Sequence, residues 1–209
     1  MNQKILSKVS HLSDWMSSAY SPLNSHVVAI GDDVYHDHDF YEIVYVINGQ
    51  IPHIVNGQHM DLVTGDMLFV RPADKHIYLR DDGNTCTHRD IVINLHFFET
   101  TCQFLGETFL TKYRETELPK KCNLHLNEIE MLEEEIKKHQ AILQTNTEQK
   151  LFSAKFLLIK LLSIFYQHTA QPYNDKYPLW LNRLLEKMNM CEYYKAGLPT
   201  ILSFFDYDQ

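Results

Sequence analysis

The chain has 209 residues, 44% of them hydrophobic, and its net charge is −8 because 27 acidic side chains outnumber 19 basic ones. This length is enough for one compact core with a small second unit, and the acidic balance offers no overall field for phosphate backbones. The 4 cysteines contain no C-x-x-C pair, which disfavours a zinc knuckle or disulfide scaffold and fits a reducing cytosol. The N-terminus lacks a signal-like apolar segment, and Lys155 and Lys160 interrupt the most apolar stretch, so we expect a cytoplasmic protein without a membrane span.

Residues 26–97 are predicted to form short antiparallel strands. The segments rich in β-branched and aromatic residues are HVVAI, FYEIVYVI, IPHIV, HMDLV, DMLFV, HIYL and DIVINLHF. The pairs Asn48-Gly49 and Asn56-Gly57 are typical of type I′ hairpin turns, because both turn residues need a positive φ that Asn and Gly adopt most readily. Short strands at a nearly regular spacing favour a sandwich or a barrel.

After about residue 123 the hydrophobic period becomes helical. The first predicted helix has a capping box formed by Asn127 and Glu130, and its apolar stripe contains Ile129, Leu132, Ile136 and Leu143. The second predicted helix, at about 147–168, is apolar on nearly all sides, which is typical of a helix buried on more than one face. We expect it to pack either in a hairpin within the chain or in a subunit interface.

Two histidines one residue apart open the β-rich region. Along a strand, His36, His38 and Glu42 point to one face, whereas Tyr45 points to the other. In a closed barrel, a later strand brings His76 across from the first pair. Three neutral imidazoles and one carboxylate are a reasonable ligand set for a divalent transition metal such as Zn, Ni, Mn or Fe.

This pattern resembles the cupin family. The residues that match the first cupin motif, H-x-H followed by E and then G, are His36, His38, Glu42 and Gly49. The second motif is matched more loosely, with the spacing around its proline changed by one residue on each side, by Gly65, Pro72 and His76. The resemblance covers roughly residues 26–97 and implies a double-stranded β-helix barrel with a metal at the histidines.

Residues 36–78 also resemble the sensor domain of AraC-type (AraC/XylS) transcription regulators, whose barrels bind sugars or other small effectors. The polar groups that such a pocket would use are His36, His38, Glu42, Tyr45, His53, Arg71 and His76. Its aromatic faces would come from Tyr41, Tyr78 and Trp15. Three interpretations stay open: an effector pocket without metal, a metal site, and histidines that only pack. The other histidines, including His88, are expected at surface or structural positions, with His96 the first to reconsider.

The segment LWLNRLLEKMNMCEYYKAGLPTILSFFDYDQ resembles the opening of the AraC-type DNA-binding domain, where a linking helix precedes the first helix-turn-helix motif. In that family a recognition helix follows and enters the major groove. The sequence ends at Gln209, before such a helix. We therefore expect a part of a longer regulator that does not bind its operator specifically by itself.

The predicted fold is α+β and mainly β. It has an antiparallel cupin barrel over 1–123, a helical hairpin over 124–170, and a linker with an incomplete DNA-binding domain over 171–209. The predicted function is effector sensing and dimerisation in an AraC-family regulator of carbohydrate utilisation, and not catalysis. The implied partners are a sugar or sugar phosphate, a second copy of the chain, and DNA in the full-length protein only. The alternative is a cupin metalloenzyme, a dioxygenase or sugar isomerase, with metal at His36, His38, Glu42 and His76.

Overall fold

The structure, a computed structural model, describes residues 7–11, 21–29, 34–79, 86–106, 111, 114, 116–142 and 147–170. The predictions that concern Trp15, Leu143 and the linker and helix-turn-helix segment at 171–209 lie outside these residues.

The described residues form two sheets. In chain order the strands are β1 (Ser7–Ser10), β2 (Leu23–Val28), β3 (Tyr35–His38), β4 (Tyr41–Ile51), β5 (His53–Val55), β6 (Gln58–His59), β7 (Leu62–Val63), β8 (Asp66–Val70), β9 (His76–Tyr78), β10 (Cys86–Ile93) and β11 (Lys121–Asn123). The first sheet has the order β1-β3-β9-β5-β6, and the second has the order β11-β8-β4-β10-β2, with β7 paired to the end of β4. All pairs are antiparallel except β1 with β3.

Alternation along β4 divides the second sheet into two faces. Tyr41, Ile43 and Tyr45 pack into a core that also contains the helices, whereas Val44 and Val46 pack into a second, smaller core together with Tyr78 of the first sheet. Because the second core joins residues from both sheets, the sheets face each other around a closed interior. The predicted mainly β, cupin-like architecture is confirmed.

The two Asn-Gly pairs have different roles. Asn56 and Gly57 have φ values of 50° and 78° and connect β5 to β6, as a type I′ hairpin requires. The predicted turn at Asn48-Gly49 is wrong, because β4 continues through it to Ile51. Thr87 pairs with Asn48 but His88 pairs with Val46, so one residue of β4 is left over and forms a β-bulge. Here Gly49, with φ 89°, helps the strand to bend.

Within the described residues, α1 (Leu95–Leu105) follows β10, and α2 (Leu126–Ile142) and α3 (Thr147–Ala170) follow β11. The predicted strand over 90–97 is partly wrong, because β10 ends at Ile93 and the Asn94 side chain accepts a hydrogen bond from the Phe97 backbone N–H at 3.0 Å. That bond satisfies one of the free N–H groups of the first helical turn, so Asn94 begins α1. His96 lies on this helix and is exposed.

The helical hairpin is confirmed in its location and its apolar stripe. Ile129, Leu132 and Ile136 of α2 are buried in the core shared with the second sheet. The predicted cap is displaced, because the Glu128 carboxylate accepts from the His125 backbone N–H at 2.8 Å. The division between a barrel at 1–123 and a hairpin at 124–170 remains a prediction, since helices and sheet share one core.

Helix α3 is buried on one face only. Leu157, Leu158 and Leu161 are at most 1% exposed, whereas Phe152 and Phe156 are 74% and 53% exposed. The expectation that α3 is covered on more than one side therefore does not hold within the described residues. None of the helices in this part of the chain has the length and hydropathy needed to cross a membrane.

Candidate ligand-binding site in the barrel interior

The interior brings His38, Glu42 and His76 together from three strands or their ends. The Nε2 atoms of His38 and His76 each lie 3.5 Å from Glu42 Oε2. All three side chains are nearly excluded from solvent, with exposures of 0%, 8% and 0%. The predicted convergence of these groups across the barrel is thus observed.

The ring nitrogens of His38 have distinct roles. His38 Nδ1 lies 2.7 Å from the Phe40 carbonyl oxygen. A carbonyl oxygen only accepts, so Nδ1 donates, and Nε2 is the ring nitrogen that faces Glu42. This orientation presents Nε2 to a metal or to a ligand hydroxyl.

His36 stands beside this group and not in it. Its Nδ1 donates to the Val34 carbonyl oxygen at 2.8 Å, and its ring centroid lies 4.4 Å from that of His76. The donor atoms that lie within 4.8 Å of one another belong to His38, Glu42 and His76. The predicted set of four ligands is therefore reduced to three, with His36 packed against one of them.

His53 and Tyr78 extend the cluster along the first sheet. His53 Nε2 lies 3.2 Å from His76 Nδ1, which is within hydrogen-bond distance. The rings of His53 and Tyr78 are stacked, with centroids 4.7 Å apart. Both predicted residues thus line the interior, and Tyr78 supplies an aromatic face.

His88 and Asp90 also belong to the interior, although neither was predicted as a site residue. Both are buried, at 1% and 7% exposure, and His88 Nε2 lies 3.4 Å from Asp90 Oδ1. The ring of His88 lies 5.1 Å from that of Tyr78 across the interior. The predicted strand begins at residue 90, whereas β10 begins at Cys86. With the observed start, alternation places His88 and Asp90 on one face, so the signal was present in CTHRDIVI.

These side chains share an unusual property: buried polar atoms that find no hydrogen-bond partner among the described residues. The atoms in the interior are His38 Nε2, Glu42 Oε2, His53 Nδ1, His76 Nε2, Tyr78 Oη, His88 Nε2 and Asp90 Oδ1. A buried unpaired polar atom costs roughly 1–3 kcal/mol, so most such atoms in folded proteins are paired. So many in one interior indicate that it is built to receive polar groups from outside the protein.

Burial and proximity set the protonation of the interior. Burial lowers the pKa of His53 to about 4, and it lowers the pKa of His76 well below its usual value, although the Glu42 charge opposes both shifts. Burial alone would raise the pKa of Glu42, but the close approach of His38 and the charges of the surrounding imidazoles outweigh it and hold the pKa at about 2. Glu42 is therefore an anion at neutral pH, and burial favours the neutral forms of His53 and His76.

Asp90 behaves in the opposite way to Glu42. Burial raises its pKa well above the usual value, and the negative charge of Glu42 raises it further. Burial likewise lowers the pKa of His88. The neutral forms of both groups are favoured, so a protonated Asp90 can donate a hydrogen bond as well as accept one.

Two residues that were predicted to contribute to the pocket, Tyr45 and Tyr41, lie outside the interior. Tyr45 faces the helices, where its hydroxyl donates to Glu133 Oε1 at 2.5 Å. Tyr41 packs on the same face, 4.0 Å from the ring of Phe98. Alternation along β4 turns both away from Glu42, so the structure does not support them as pocket residues.

Arg71 is also outside the interior cluster. Its guanidinium donates to Asp74 Oδ2 at 2.8 Å and Oδ1 at 2.6 Å, and to the Thr116 carbonyl oxygen at 2.6 Å. These bonds fasten the loop after β8 to the segment before β11. Arg71 lies outside the interior because β8 ends at Val70 and Arg71 belongs to the loop that follows.

A metal ion would fit the group formed by His38, Glu42 and His76. Two imidazoles and one carboxylate with their lone pairs towards a common point form a three-ligand set that leaves positions open for water or substrate. The Nδ1 bond of His38 to a carbonyl is the kind of outer contact that orients a metal-binding imidazole.

Two facing sheets around a His/His/Glu interior define a barrel of the cupin type. Residues 31–119 match the family model described as the AraC-like ligand binding domain. This part of the chain is therefore similar to AraC-like ligand-binding domains, and the predicted resemblance to the sensor domain of AraC-type regulators is confirmed. No curated protein matches the sequence significantly.

Similar solved structures include ToxT from Vibrio cholerae with a bound unsaturated fatty acid, which is 15% identical, covers 71% of this chain and has a TM-score of 0.48. The AraC-like transcriptional activator CuxR is 10% identical, with 88% of this chain and 62% of CuxR covered and a TM-score of 0.43. A cupin protein from Bacteroides fragilis is 18% identical, with 40% of this chain and 74% of that protein covered and a TM-score of 0.33. The chain spans 54% of the ToxT chain.

Proposed function

We propose that the chain is the effector-sensing and dimerisation part of an AraC-family transcription regulator of carbohydrate utilisation. The observation that carries this proposal is the set of unpaired polar atoms inside a barrel similar to AraC-like ligand-binding domains. A small ligand with several hydroxyl groups supplies the missing donors and acceptors, and the Tyr78 ring supplies the apolar face that sugar rings stack on.

The charge of the interior favours an uncharged sugar over a sugar phosphate. Glu42 is an anion, and its imidazole neighbours His53 and His76 are neutral. A second negative charge in the same buried space would be repelled by Glu42 and would lose its hydration. The same argument disfavours a carboxylate ligand such as the fatty acid bound to ToxT.

Strands β4 and β10 offer a route from ligand to helices. Asp90 faces the interior, while the adjacent Arg89 pairs with Tyr45 across the strands on the other face. Arg89 Nε donates to Glu133 Oε1 of α2 at 3.0 Å, and the Tyr45 hydroxyl donates to the same atom. A ligand that shifts β10 therefore pulls on α2 directly. It changes the state of the regulator to the extent that it binds one arrangement more tightly than another.

The exposed face of α3 is the part of the hairpin that supports dimerisation. Phe152 and Phe156 border a groove of about 430 Å³ that Phe104 of α1 also lines. In this proposal a homodimer covers these rings, and a C-terminal helix-turn-helix domain of the full-length protein contacts DNA. Paired half-sites then raise the effective concentration of each DNA-binding domain.

The sensing proposal is tested by thermal shift and calorimetry with mono- and disaccharides, each paired with its phosphate ester. We expect an uncharged sugar to raise the melting temperature, with a stabilisation of about 2.7 kcal/mol at 100 times its Kd. The variant Asp90→Ala should lose the shift, whereas the control Glu134→Ala, at an exposed position on α2, should keep it. A panel in which no sugar shifts the melting temperature would count against sugar sensing.

A second candidate function, a cupin metalloenzyme, is favoured by one observation, the three-ligand group of His38, Glu42 and His76. A Zn, Ni, Mn or Fe ion held there would supply Lewis-acid or redox chemistry to a bound substrate. Elemental analysis of protein purified without added metal discriminates between the candidates. One tightly held metal per chain that is lost in His38→Ala favours the enzyme, and a metal-free protein that binds sugar favours the sensor.

A further inference from the structure

A second group of metal-binding side chains lies outside the barrel, where the two ends of the helical hairpin meet. His125 precedes the first turn of α2, Glu128 lies within that turn, and His168 lies in the last turn of α3. The three residues are separated by up to 43 positions in sequence, yet one donor atom of each lies within 4.8 Å of the others. We infer that they form a surface site for a divalent transition metal of the zinc class.

The distances between donors suit such an ion. His168 Nε2 lies 3.0 Å and 2.9 Å from the two carboxylate oxygens of Glu128. Two ligands at zinc bond lengths of about 2.0–2.2 Å are themselves on the order of 3 Å apart. The rings of His125 and His168 approach edge to face, with centroids 5.3 Å apart, so both can turn a nitrogen towards the carboxylate.

The chain already orients the carboxylate. Glu128 Oε2 accepts from the His125 backbone N–H at 2.8 Å, which holds the side chain over the start of α2. Outer contacts of this kind reduce the freedom that a ligand must lose when it binds a metal. The structure has hydrogen-bond contacts between His168 Nε2 and the Glu128 carboxylate, and a bound ion would replace them.

Solvent can reach this site. The side chains of His168 and Glu128 are 21% and 16% exposed, in contrast to the interior group around Glu42. An ion can therefore enter without opening the barrel, and water can complete its coordination shell as the fourth ligand. Because the ligands come from α2 and α3, an occupied site would join the beginning of one helix to the end of the other.

The test is a titration of Zn²⁺ into the 209-residue chain after removal of bound metal with a chelator. Binding is measured by calorimetry, and stability by the melting temperature. His168→Gln should weaken zinc binding at this site at least about 10-fold and abolish the associated rise in melting temperature. His125→Gln should do the same, and His96→Gln, an exposed histidine on α1, is the matched control that should bind as the unchanged protein does.

The interior group is separated from this site by a third variant, His76→Gln. If zinc binding survives in His76→Gln and is lost in His168→Gln, the surface site is supported whether or not the barrel also binds metal. Equal stoichiometry and affinity in His168→Gln, His125→Gln and the unchanged protein would overturn the inference. Absence of any zinc binding at a large molar excess of zinc over protein would overturn it as well.

Discussion

Two buried polar clusters of this protein differ in how completely they are paired. Asp74 is 1% exposed and accepts from the Arg71 backbone N–H at 2.9 Å, from the Arg71 guanidinium and from Asn56 Nδ2 at 2.8 Å. In the barrel interior, by contrast, Glu42, His76 and their neighbours leave polar atoms without partners among the described residues. The first cluster holds a loop in place, and the second is arranged for a molecule that comes from outside.

The difference gives a rule for interpreting polar residues near a cupin-like barrel. Arg71 has the chemistry of a ligand contact, but its donors already serve Asp74 and the Thr116 carbonyl. Asp90 has a less conspicuous sequence context, but it is buried with an unpaired oxygen. Pairing, and not residue type, therefore separates structural groups from candidate ligand contacts.

The largest expected effect is on the paired cluster. Asp74→Ala leaves the largely buried Arg71 guanidinium without its carboxylate, so we expect a loss of about 3–5 kcal/mol in the free energy of unfolding. Urea denaturation monitored by circular dichroism measures it. Asp39→Ala, which breaks a half-exposed pair with His11, is the control and should cost no more than about 1 kcal/mol. Equal losses in the two variants would remove the distinction between the clusters.

The next effect concerns the contact between barrel and helix. Tyr45→Phe removes the hydroxyl that donates to Glu133, a hydrogen bond to a charged group in a buried setting. We expect a loss of about 1.5–3 kcal/mol in unfolding free energy. Sugar affinity should change little, because Tyr45 does not face the interior. A Tyr45→Phe protein that unfolds like the unchanged chain would contradict the assignment of this bond.

A Tyr→Phe substitution at Tyr78, in the interior, should change the free energy of unfolding in the opposite direction. Tyr78 Oη is buried and unpaired among the described residues, so Tyr78→Phe relieves a desolvation cost and should stabilise the ligand-free protein by about 1 kcal/mol. Ligand binding should weaken in the same variant. Denaturation curves of the Tyr45 and Tyr78 variants, recorded side by side, provide the comparison, and destabilisation of both would show that the interior hydroxyl has a structural partner.

The smallest effect is a pH dependence in the hairpin. Burial lowers the pKa of His139. This residue of α2 faces α3, and its Nδ1 lies 2.9 Å from Ser153 Oγ. The unfolded chain then binds a proton at a higher pH than the folded chain, so stability falls as pH decreases through and below the usual histidine pKa. His139→Gln should show a flatter pH profile of unfolding free energy between pH 7 and about 5. An unchanged slope would assign the dependence to other groups.

The sequence was informative where local chemistry decides the structure. Asn56-Gly57 forms the predicted hairpin because β5 and β6, the strands on either side of it, pair with each other directly across that turn. Asn48-Gly49 carries the same local signal, but β10 pairs with these two residues and with those before them, and β7 pairs with the two residues after them, so the strand stays extended. Long-range pairing of this kind overrides turn propensity and cannot be obtained from the dipeptide alone.

The candidate site was predicted in part for the same reason. His38, Glu42 and His76 follow from alternation and barrel closure, and the structure brings them together. His88 and Asp90 depend on where β10 begins, and the start of a strand is set by its partner, not by its own composition. Helix α1 was missed because LHFF continues the apolar run of β10, and only the side chain of Asn94 marks the change.

The bulge in β4 gives this barrel a position where its length could vary. Val46 and Ile51 both face the second, smaller core. They are five positions apart, so in an uninterrupted strand they would point to opposite sides. Removal of Ile47, the residue without a cross-strand partner, would make the interval even and keep both side chains inward. A deletion at residue 43 would instead reverse Glu42 relative to the rest of β4. Insertions and deletions among related proteins should therefore gather at the bulge and avoid the first half of the strand.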